Sequence, residues 1–536
     1  MSASAWSPLR HPVFRALWLA TIVLNIGTWM QNVGAAWLMT SLTPSSVMVA
    51  LVQTATSLPV FFLALPAGAL ADVLDRRRLL LVTQGWMLLT AMILGALTLL
   101  DLTTPWTLLW LTFSLGVGAA MNAPAWQASI PDLVPREDLP GAVALGSVAF
   151  NIARAIGPAL GGLVIAAAGP GVVFALNAFS FVGVMCVLYR WRPTREQNAL
   201  PAERFVGAVR AGLRYVRHAP QLQAVLVRAG VFILCAAALW ALLPLRSKNE
   251  LGHDATGYGI LLGCLGAGAL LGAAVLPKFR IDLSTDALIS WASLLFGGAT
   301  LGLAFLNNFF LLCGAMFAGG LAWMTVMSSF NVAAMTTAPA WVKSRSLGIY
   351  QLVFQGGLAI GSAAWGFVAT HAGLTVALIG AAAGLALGLV AVRRFPLAEV
   401  EPEKLEPSLH WAEPVVAREL QPDRGPVVVT VEYRIDPAQA REFVAAMQPV
   451  RESCLRDGAI QWHLLNDTSD PSRYLEYFVV ESWAEHLRQH ERVTIADRAV
   501  QDYARSFHVG DRPPVVSHFI AENVVRPRAK TETGFQ

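Results

Sequence analysis

The sequence predicts an all-α polytopic membrane protein, with twelve transmembrane helices in two six-helix halves, followed by a small cytoplasmic α+β domain of the ferredoxin-like type. Two observations predict the membrane part. Of the 536 residues, 55% are hydrophobic and only 14% are charged, whereas soluble proteins have about 25% charged residues. Long apolar stretches also follow one another through the first 394 residues. A third observation, strand and helix periodicities after residue 425, predicts the small domain.

A transmembrane helix needs about 20 apolar residues. The twelve predicted helices run near 15–39, 46–71, 79–100, 105–128, 141–168, 171–189, 221–245, 256–277, 286–306, 308–330, 346–370 and 374–393. Lys and Arg are concentrated in alternate loops, which places those loops in the cytoplasm. Because the number of spans is even, both termini of this inner-membrane protein are predicted to be cytoplasmic. The net charge of +4 reflects these loop arginines and does not indicate a nucleic-acid partner.

The chain divides into six predicted segments. They are an N-terminal half (1–189), a cytoplasmic amphipathic central loop (190–220), a C-terminal half (221–394), a Pro- and Glu-rich linker (395–424), a ferredoxin-like domain (425–522) and a disordered tail (523–536). The halves resemble each other, because Gly157 and Gly162 align with Gly361 and Gly366 at one constant offset. Two such halves are typical of secondary transporters, whose substrate site lies between them near the bilayer midplane.

The end of the second helix carries a glycine and a carboxylate ahead of an arginine run. These residues are Gly68, Asp72, Arg76, Arg77 and Arg78. Such a carboxylate can form charge-assisted hydrogen bonds, and the glycine permits a neighbouring helix to approach. The pattern predicts a latch that holds one conformation; the alternative is an ordinary positive-inside anchor. The segment resembles the corresponding loop of the major facilitator superfamily, with Val73 and Asp75 in place of that family's usual Arg and Gly.

The fifth helix combines small residues, a proline and a central arginine. Its candidate residues are Asn151, Arg154, Gly157, Pro158, Gly161 and Gly162. The run resembles a motif of the superfamily's exporters, with Ala153 in place of the first Gly, and the resemblance implies export. An arginine halfway through a span is costly unless it faces a cavity or a partner. Two interpretations of Arg154 stay open, namely a functional group in the transport pathway and a buried donor to backbone carbonyls.

Other polar residues within the spans are candidates for the cavity wall. They are Asn25, Gln31, Asn32, Gln351 and Gln355. Six tryptophans could stack on a substrate, although anchoring at the interface is the commoner role of Trp in membranes. They are Trp29, Trp37, Trp126, Trp240, Trp323 and Trp365. No Asp or Glu lies in the middle of a predicted span. A proton as coupling ion is therefore implied by the family resemblance and not by particular residues.

Two loops and the tail narrow the resemblance. Pro131 to Leu139 and Pro339 to Arg345 resemble the transmembrane secretion effector branch of the superfamily, which includes enterobactin exporter-like proteins. The tail resembles the dimeric αβ-barrel proteins related to antibiotic-biosynthesis monooxygenases, which implies a homodimer formed through this domain. Its histidines lack the spacing of metal ligands, and the chain has no cofactor motif. We therefore predict no cofactor, no metal and no catalytic residue.

These observations predict a secondary active transporter in the membrane. It would export a small amphipathic molecule, such as a siderophore, a drug or a secondary metabolite, by alternating access and with proton coupling. The chain has no Walker A pattern, so ATP is not its direct energy source. The alternative is a membrane-anchored enzyme whose tail domain is catalytic. Twelve spans with internal duplication are more than an anchor needs.

Overall fold

The computed structural model describes residues 6–191, 205–397, 401–411, 414, 421 and 423–522. The predicted disordered tail, 523–536, lies outside these residues. Before residue 400, the described chain forms thirteen α-helices. They are α1 (Pro12–Leu42), α2 (Ser46–Val73), α3 (Arg76–Leu99), α4 (Pro105–Ser129), α5 (Leu139–Ala168), α6 (Pro170–Arg190), α7 (Phe205–His218), α8 (Pro220–Leu245), α9 (Ala255–Asp282), α10 (Thr285–Phe305), α11 (Phe309–Thr336), α12 (Lys343–Ala372) and α13 (Leu374–Ala391).

Twelve helices in the described part of the chain, α1–α6 and α8–α13, are long and apolar enough to cross a bilayer. The predicted number of spans is confirmed. The remaining helix, α7, lies in the predicted central loop, and Arg210 and Arg217 on it are exposed. Two of the spans that follow short connections begin at side-chain caps. Ser45 accepts a hydrogen bond from the Met48 amide at the start of α2, and Asp75 accepts one from the Arg78 amide at the start of α3.

Helices α9 and α11 approach each other closely through glycines. A Cβ atom added at Gly320 would lie 1.8 Å from the carbonyl oxygen of Leu265. A Cβ added at Gly268 would lie 1.9 Å from the carbonyl oxygen of Phe317. Small residues permit such backbone contact, which is a main source of attraction between helices in lipid.

The tail domain is a second compact unit and has the predicted βαββαβ order. Its elements are β1 (Val427–Arg434), α14 (Ala440–Asp457), β2 (Ala459–Asn466), β3 (Arg473–Val480), α15 (Trp483–Arg492), α16 (Ile495–Arg505) and β4 (Val515–Ile520). The strands pair antiparallel in the order β2-β3-β1-β4. This is the ferredoxin-like arrangement.

Two features of the tail differ from expectation. The helical run after Trp483 is two helices and not one, because Thr494 and Asp497 form a capping box that begins α16. Part of the predicted linker is also structured. The Trp411 indole donates to Gln501 Oε1 at 2.8 Å, so this end of the linker packs on α16. The contact of Trp411 with the buried Gln501 thus orders a segment whose Pro- and Glu-rich composition predicted a linker.

The sheet has one face against the helices and one open face. On β1, Val427, Val429 and Val431 are buried, whereas Val428, Thr430 and Glu432 alternate with them on the open face. On the neighbouring strands, the open face carries Leu475, Tyr477, Val479, Val515 and Phe519. The helix-covered face carries Trp462, Tyr474, Phe478 and His518. The open face thus has an apolar centre among polar residues, which include Arg473, His463 and Ser517.

We predict that Gly320→Ala destabilises the helix bundle, because the added methyl group must push α9 and α11 apart. Overpacking of this kind costs about 3 kcal/mol. The measurement is the midpoint of thermal unfolding of the detergent-solubilised protein. Gly314→Ala is the matched control, since a Cβ at Gly314 in the same helix meets no atom within 4 Å. Equal midpoints for the two variants would contradict the prediction.

Candidate functional site

Glycines of α5 hold the two six-helix halves together at one end of the bundle. A Cβ added at Gly162 would lie 2.5 Å from the carbonyl oxygen of Ala255 in α9, which belongs to the other half. Gly157 and Gly161 instead contact α1 of the same half, where an added Cβ would meet Trp29 Cβ at 2.6 Å and Met30 Cα at 2.9 Å. The α5 glycines therefore hold α5 against α1 of the first half and against α9 of the second half.

The second half repeats this arrangement. A Cβ at Gly361 in α12 would lie 2.4 Å from the carbonyl oxygen of Leu234 in α8, within the same half. A Cβ at Gly366 would lie 2.4 Å from Ala50 Cβ in α2, across the halves. The glycines aligned by the sequence repeat thus make equivalent contacts. We name the end of the bundle that holds Gly162 and Gly366 the closed end, and the opposite end, which holds Arg76 to Arg78, the arginine end.

A cavity of about 410 Å³ lies between the two halves. Helices of both halves line it, namely α1, α2 and α5 from the first and α8, α9, α11 and α12 from the second. Its wall is mainly aromatic and aliphatic, with a few amides, hydroxyls and one charged group. Apolar walls with a small number of polar groups are typical of sites for small organic ligands.

Arg154 supplies that charge. Its guanidinium carbon lies 6.0 Å from the ring of Trp29 in one half and 5.8 Å from the ring of Trp240 in the other. These distances are typical of cation–π contacts. Its Nε atom is buried and has no hydrogen-bond partner among the described residues. The group is therefore held by two indoles and lacks a counter-charge in the described wall of the cavity.

The other buried arginines of the spans are paired. Arg228 forms an ion pair with Asp286, and its side chain is 5% exposed. Arg246 pairs with Glu250 and also donates to Asn307 Oδ1 at 2.9 Å. Burial of an arginine is costly unless such partners satisfy it. Arg154 departs from this rule, which distinguishes it as the charged group available to a ligand.

The halves separate from Arg154 toward the arginine end. On the face of α5 that carries Arg154, Phe150 is 48% exposed and Val143 is 52% exposed. On the closed-end side of Arg154, Pro158, Gly162 and Ile165 are buried. The cavity therefore opens toward the arginine end.

Of the residues that the sequence predicted to line the cavity, some do so and others do not. Asn32 and Gln351 line the cavity. Gln31 does not, because it is buried and its Oε1 accepts a hydrogen bond from Asn177 of α6. The expectation that Gln31 faces the cavity is therefore wrong. Inside an apolar helix bundle a side-chain amide is stabilised by a hydrogen bond to another polar side chain, which here is Asn177. Asn25 and Gln355 are partly buried outside the cavity wall.

Asn151 and the arginine run make local contacts. Asn151 donates to the carbonyl oxygen of Ser147 in its own helix at 2.9 Å. Arg76 donates to the carbonyl oxygen of Ala128 at 2.8 Å, and Arg77 donates to that of Leu188 at 2.9 Å. These bonds tie the start of α3 to the ends of α4 and α6.

The remaining residues of the latch motif are separate from these contacts. A Cβ at Gly68 would meet no described atom within 4 Å, so the close helix approach expected there does not occur in this conformation. The side chain of Asp72 lies outside the part of the structure that is described. Arg78 is exposed, and its amide bonds to the Asp75 cap.

Several cavity residues were not among the sequence candidates. Gln53, Tyr350 and Asn331 line the wall from α2, α12 and α11. Each is a polar residue inside an apolar span, which was the available signal. The sequence alone does not show which polar residues of a span face inward.

A family model described as transmembrane secretion effector matches residues 3–526. The chain belongs to this family. It is 25% identical over 291 residues to the staphyloferrin A transporter of Staphylococcus aureus, covering 54% of this chain and 72% of that protein. It is 26% identical over 400 residues to the enterobactin exporter of Shigella boydii, covering 72% of this chain and 94% of that protein.

A solved structure shows the same fold. A bacterial homologue of the human lysosomal transporter Spinster superposes with a TM-score of 0.59 at 13% identity, covering 72% of this chain and 98% of that one. The protein is thus a multi-pass membrane transporter of the major facilitator type, as the sequence predicted. Its family and relatives are transporters and not enzymes, so the membrane-anchored enzyme is set aside.

The tail domain of the transporter contains a second cavity, of about 670 Å³, between the sheet and its helices. The sheet lines it with Val429, Val431, Phe478 and one histidine, and three more histidines line it from the linker and from α15. Those histidines are His410 of the linker, His486 and His490 of α15, and His518 of β4. The described residues contain no cluster of three side chains able to hold a metal ion.

The histidines of this tail cavity are neutral at physiological pH. Burial lowers the pKa of His486 to about 3 and that of His490 to about 4, and it also lowers the pKa of His518. The His486 and His490 Nε2 atoms are 3.3 Å apart. One neutral ring can therefore donate to the other.

We predict that acid destabilises the tail domain of the transporter. Unfolded histidines titrate near pH 6.5, above the folded pKa values of His486 and His490, so the unfolded state binds more protons as the pH falls. The stability that these histidines contribute is full above about pH 7 and declines from about pH 6.5 toward pH 4, by about 1.4 kcal/mol per pH unit for each histidine. Burial raises the pKa of Asp457 to about 6, which acts in the opposite direction, so the comparison of variants isolates the histidines.

Hydrogen exchange of β1 and β3 peptides in urea, at pH 7 and pH 5 and corrected for intrinsic rates, measures this decline in the full chain. His490→Gln should reduce the slope because it removes one titrating group. Leu487→Gln, on the same helix at a 43% exposed position, is the control and should keep it. A slope that is the same in all three proteins would show that these histidines do not cause it.

Proposed function

We propose that this transporter exports a small amphipathic molecule that carries aromatic groups and a negative charge, by alternating access. The observation that carries the proposal is the unpaired Arg154 between Trp29 and Trp240 in the cavity shared by both halves. Siderophores are one class with this chemistry, and the names of two relatives, a staphyloferrin A transporter and an enterobactin exporter, support it. Drugs and other secondary metabolites with an acidic group fit the same wall.

The negative charge follows from the electrostatics of the cavity. A guanidinium away from water is stabilised by an anion far more than by a neutral group. No carboxylate is among the described residues that line the cavity, so the ligand would supply the counter-charge. Indole faces on both sides of Arg154 would stack on planar parts of the ligand.

The direction of transport depends on which end of the helix bundle faces the cytoplasm. We propose that the arginine end faces the cytoplasm, since basic loops stay on that side, and that both termini are cytoplasmic. The cavity, open toward the arginine end and shut at the closed end, would then represent the inward-facing state that accepts cargo from the cytoplasm. Opening of the closed end, by separation of the Gly162 and Gly366 contacts, would release the cargo outside.

We propose that the motif at the end of α2 stabilises the other state. A Cβ at Gly68 would meet no described atom within 4 Å in the present conformation. Closure of the arginine end would bring a helix toward Gly68 and allow Asp72 to bond with it. The motif would then act as a latch of the outward-facing state.

Proton coupling is the energy source that we propose. The described cavity wall contains no carboxylate, so the titrating group would lie elsewhere in the chain or on the cargo itself. Transport driven by a pH gradient in proteoliposomes, and its loss with a protonophore, tests this source.

We also propose that the tail domain forms a homodimer through its open sheet face. Val428, Tyr477, Val479 and Phe519 give this face an apolar centre. An exposed apolar patch of this kind is typical of an interaction surface.

We predict that Arg154→Gln weakens the binding of anionic ligands more than that of neutral ones. A charge-assisted bond is lost only for the anion, so the Kd of 2,3-dihydroxybenzoate should rise about tenfold or more while that of catechol changes little. Calorimetry on detergent-solubilised protein measures both. Arg280→Gln, at an arginine outside the cavity wall, is the control and should leave both values unchanged. Equal weakening of acid and catechol would show that Arg154 serves only packing.

We predict that a disulfide across the closed end stops transport. The Val47 amide donates to Thr370 Oγ1 at 3.2 Å, which places these two positions in contact across the halves. Oxidised Val47→Cys/Thr370→Cys protein, with the exposed Cys186 replaced by Ser, should lose transport in proteoliposomes and recover it after reduction. The two single variants are the controls. Full transport by the cross-linked protein would refute opening at this end.

A further inference from the structure

We propose that the tail cavity is a regulatory binding site for a flat aromatic acid with a single negative charge, and that α15 transmits its occupancy to the segments that connect the membrane helices. The binding site is argued from the tail domain alone. The regulatory part rests on the proposed transport function.

The shape and composition of the cavity indicate an organic ligand. Its volume of about 670 Å³ lies in the range of small-molecule sites. The apolar wall of Val429, Val431 and Phe478 suits one face of a planar ring. Trp411 closes the site from the linker, with its ring centroid 5.0 Å from that of His490 in an edge-on arrangement.

The polar groups of the cavity set the charge of the ligand. Arg505 is the one cationic side chain among the described residues that line it. The buried Glu476 is already engaged, because Tyr433 and Trp462 donate to its two oxygens at 3.0 and 2.8 Å. Neutral imidazoles offer hydrogen bonds without charge. One carboxylate opposite Arg505 would therefore be accommodated, whereas two would lack a second counter-charge.

A buried polar atom in this wall is without a partner. His486 is 1% exposed, and its Nδ1 has no hydrogen-bond partner of normal geometry among the described residues. Such a group costs free energy unless something satisfies it. A hydroxyl or carboxylate of a bound ligand would do so, and the neutral ring can adopt either tautomer to match it.

The same helix, α15, contacts two other segments of this compact unit. Residues 206–220 and 336–344 belong to the unit that contains the tail domain. They connect α6 to α8 and α11 to α12, so each leads directly into a membrane helix. Glu485 of α15 accepts hydrogen bonds from Arg214 at 2.9 Å and from Arg492 at 2.6 Å.

Arg492 continues this network to the second segment. Its guanidinium lies 4.4 Å from the ring of Trp341, and the Trp341 ring is edge-on to Tyr215 at 5.7 Å. The Tyr215 hydroxyl donates to the carbonyl oxygen of Thr337 at 3.1 Å. Residues 485 and 492 of α15 thus contact the connecting segments, whereas residues 486 and 490, roughly a third of a turn away on the helix, line the cavity. Any shift of α15 on binding would move both sets of contacts together.

The binding test uses the full chain in nanodiscs with EDTA present. The probe is 2,3-dihydroxybenzoate, and cyclohexanecarboxylate is the non-aromatic acid for comparison. Val516→Trp fills the tail cavity from an edge-strand position that is 49% exposed, and Val515→Trp, on the opposite face of β4 and 62% exposed, is the matched control.

We expect the wild-type chain and the Val515→Trp variant to bind the aromatic acid at the tail site and to discriminate against cyclohexanecarboxylate. Val516→Trp should weaken that site about tenfold or more. Arg154→Gln weakens binding in the membrane cavity, so a site whose Kd is unchanged in this variant and is weakened by Val516→Trp belongs to the tail. If Arg154→Gln alone abolishes all binding, the tail site is refuted while the transport site stands; if only the tail site binds, the reverse holds.

Regulation is tested by the effect of saturating probe on the transport rate of a second, non-competing cargo in proteoliposomes. The probe should change the rate of the wild-type chain, and Glu485→Gln should abolish the change while keeping the probe's Kd. Glu481→Gln, which removes an exposed pair with Arg210, should behave like the wild type. An unchanged wild-type rate refutes regulation, and an effect that persists in Glu485→Gln refutes transmission through α15.

Discussion

Close helix contact at four glycines determines how each half packs and where the two halves of this transporter meet. Gly157 and Gly361 join helices within each half, and Gly162 and Gly366 join the halves at the closed end. A side chain at any of these positions would separate the helices, because each added Cβ falls within 2.6 Å of a neighbouring atom. With the closed end fixed in this way, the helices diverge toward the arginine end. The space that results between them is the cavity, so its position is a consequence of packing.

The positive charge in that cavity belongs to Arg154, whose surroundings differ from those of the other buried arginines. Arg228 and Arg246 are buried with carboxylate partners, and such pairs stabilise one arrangement of helices. Arg154 instead lies between two indoles and has no carboxylate partner among the described residues. Its burial cost is not offset by an ion pair in the described wall, so an anionic ligand would bring the missing interaction. This is why the same residue type is structural at two positions and available for binding at the third.

The sequence predicted the elements better than the directions of their side chains. Hydropathy was sufficient for the twelve spans, and period-two alternation for the strands of the tail. Gln31 and Asn32 illustrate the limit, since consecutive residues of a helix point about 100° apart and only the fold shows that Gln31 meets Asn177. The break between α15 and α16 had a signal in Thr494 and Asp497. The packing of Trp411 on α16 had none, because it depends on tertiary contact with Gln501.

The contacts of α15 involve segments that lie far from the tail domain in the sequence. The tail is a separate domain, yet its compact unit includes two short segments that precede α8 and α12. Those two helices belong to the second half, and α12 carries Gly361 and Gly366. A force applied to these connections acts on the helix that holds the closed end together. Because Glu485 and Arg492 contact both segments through charge-assisted and cation–π interactions, the tail domain is joined to the segments that lead into α8 and α12.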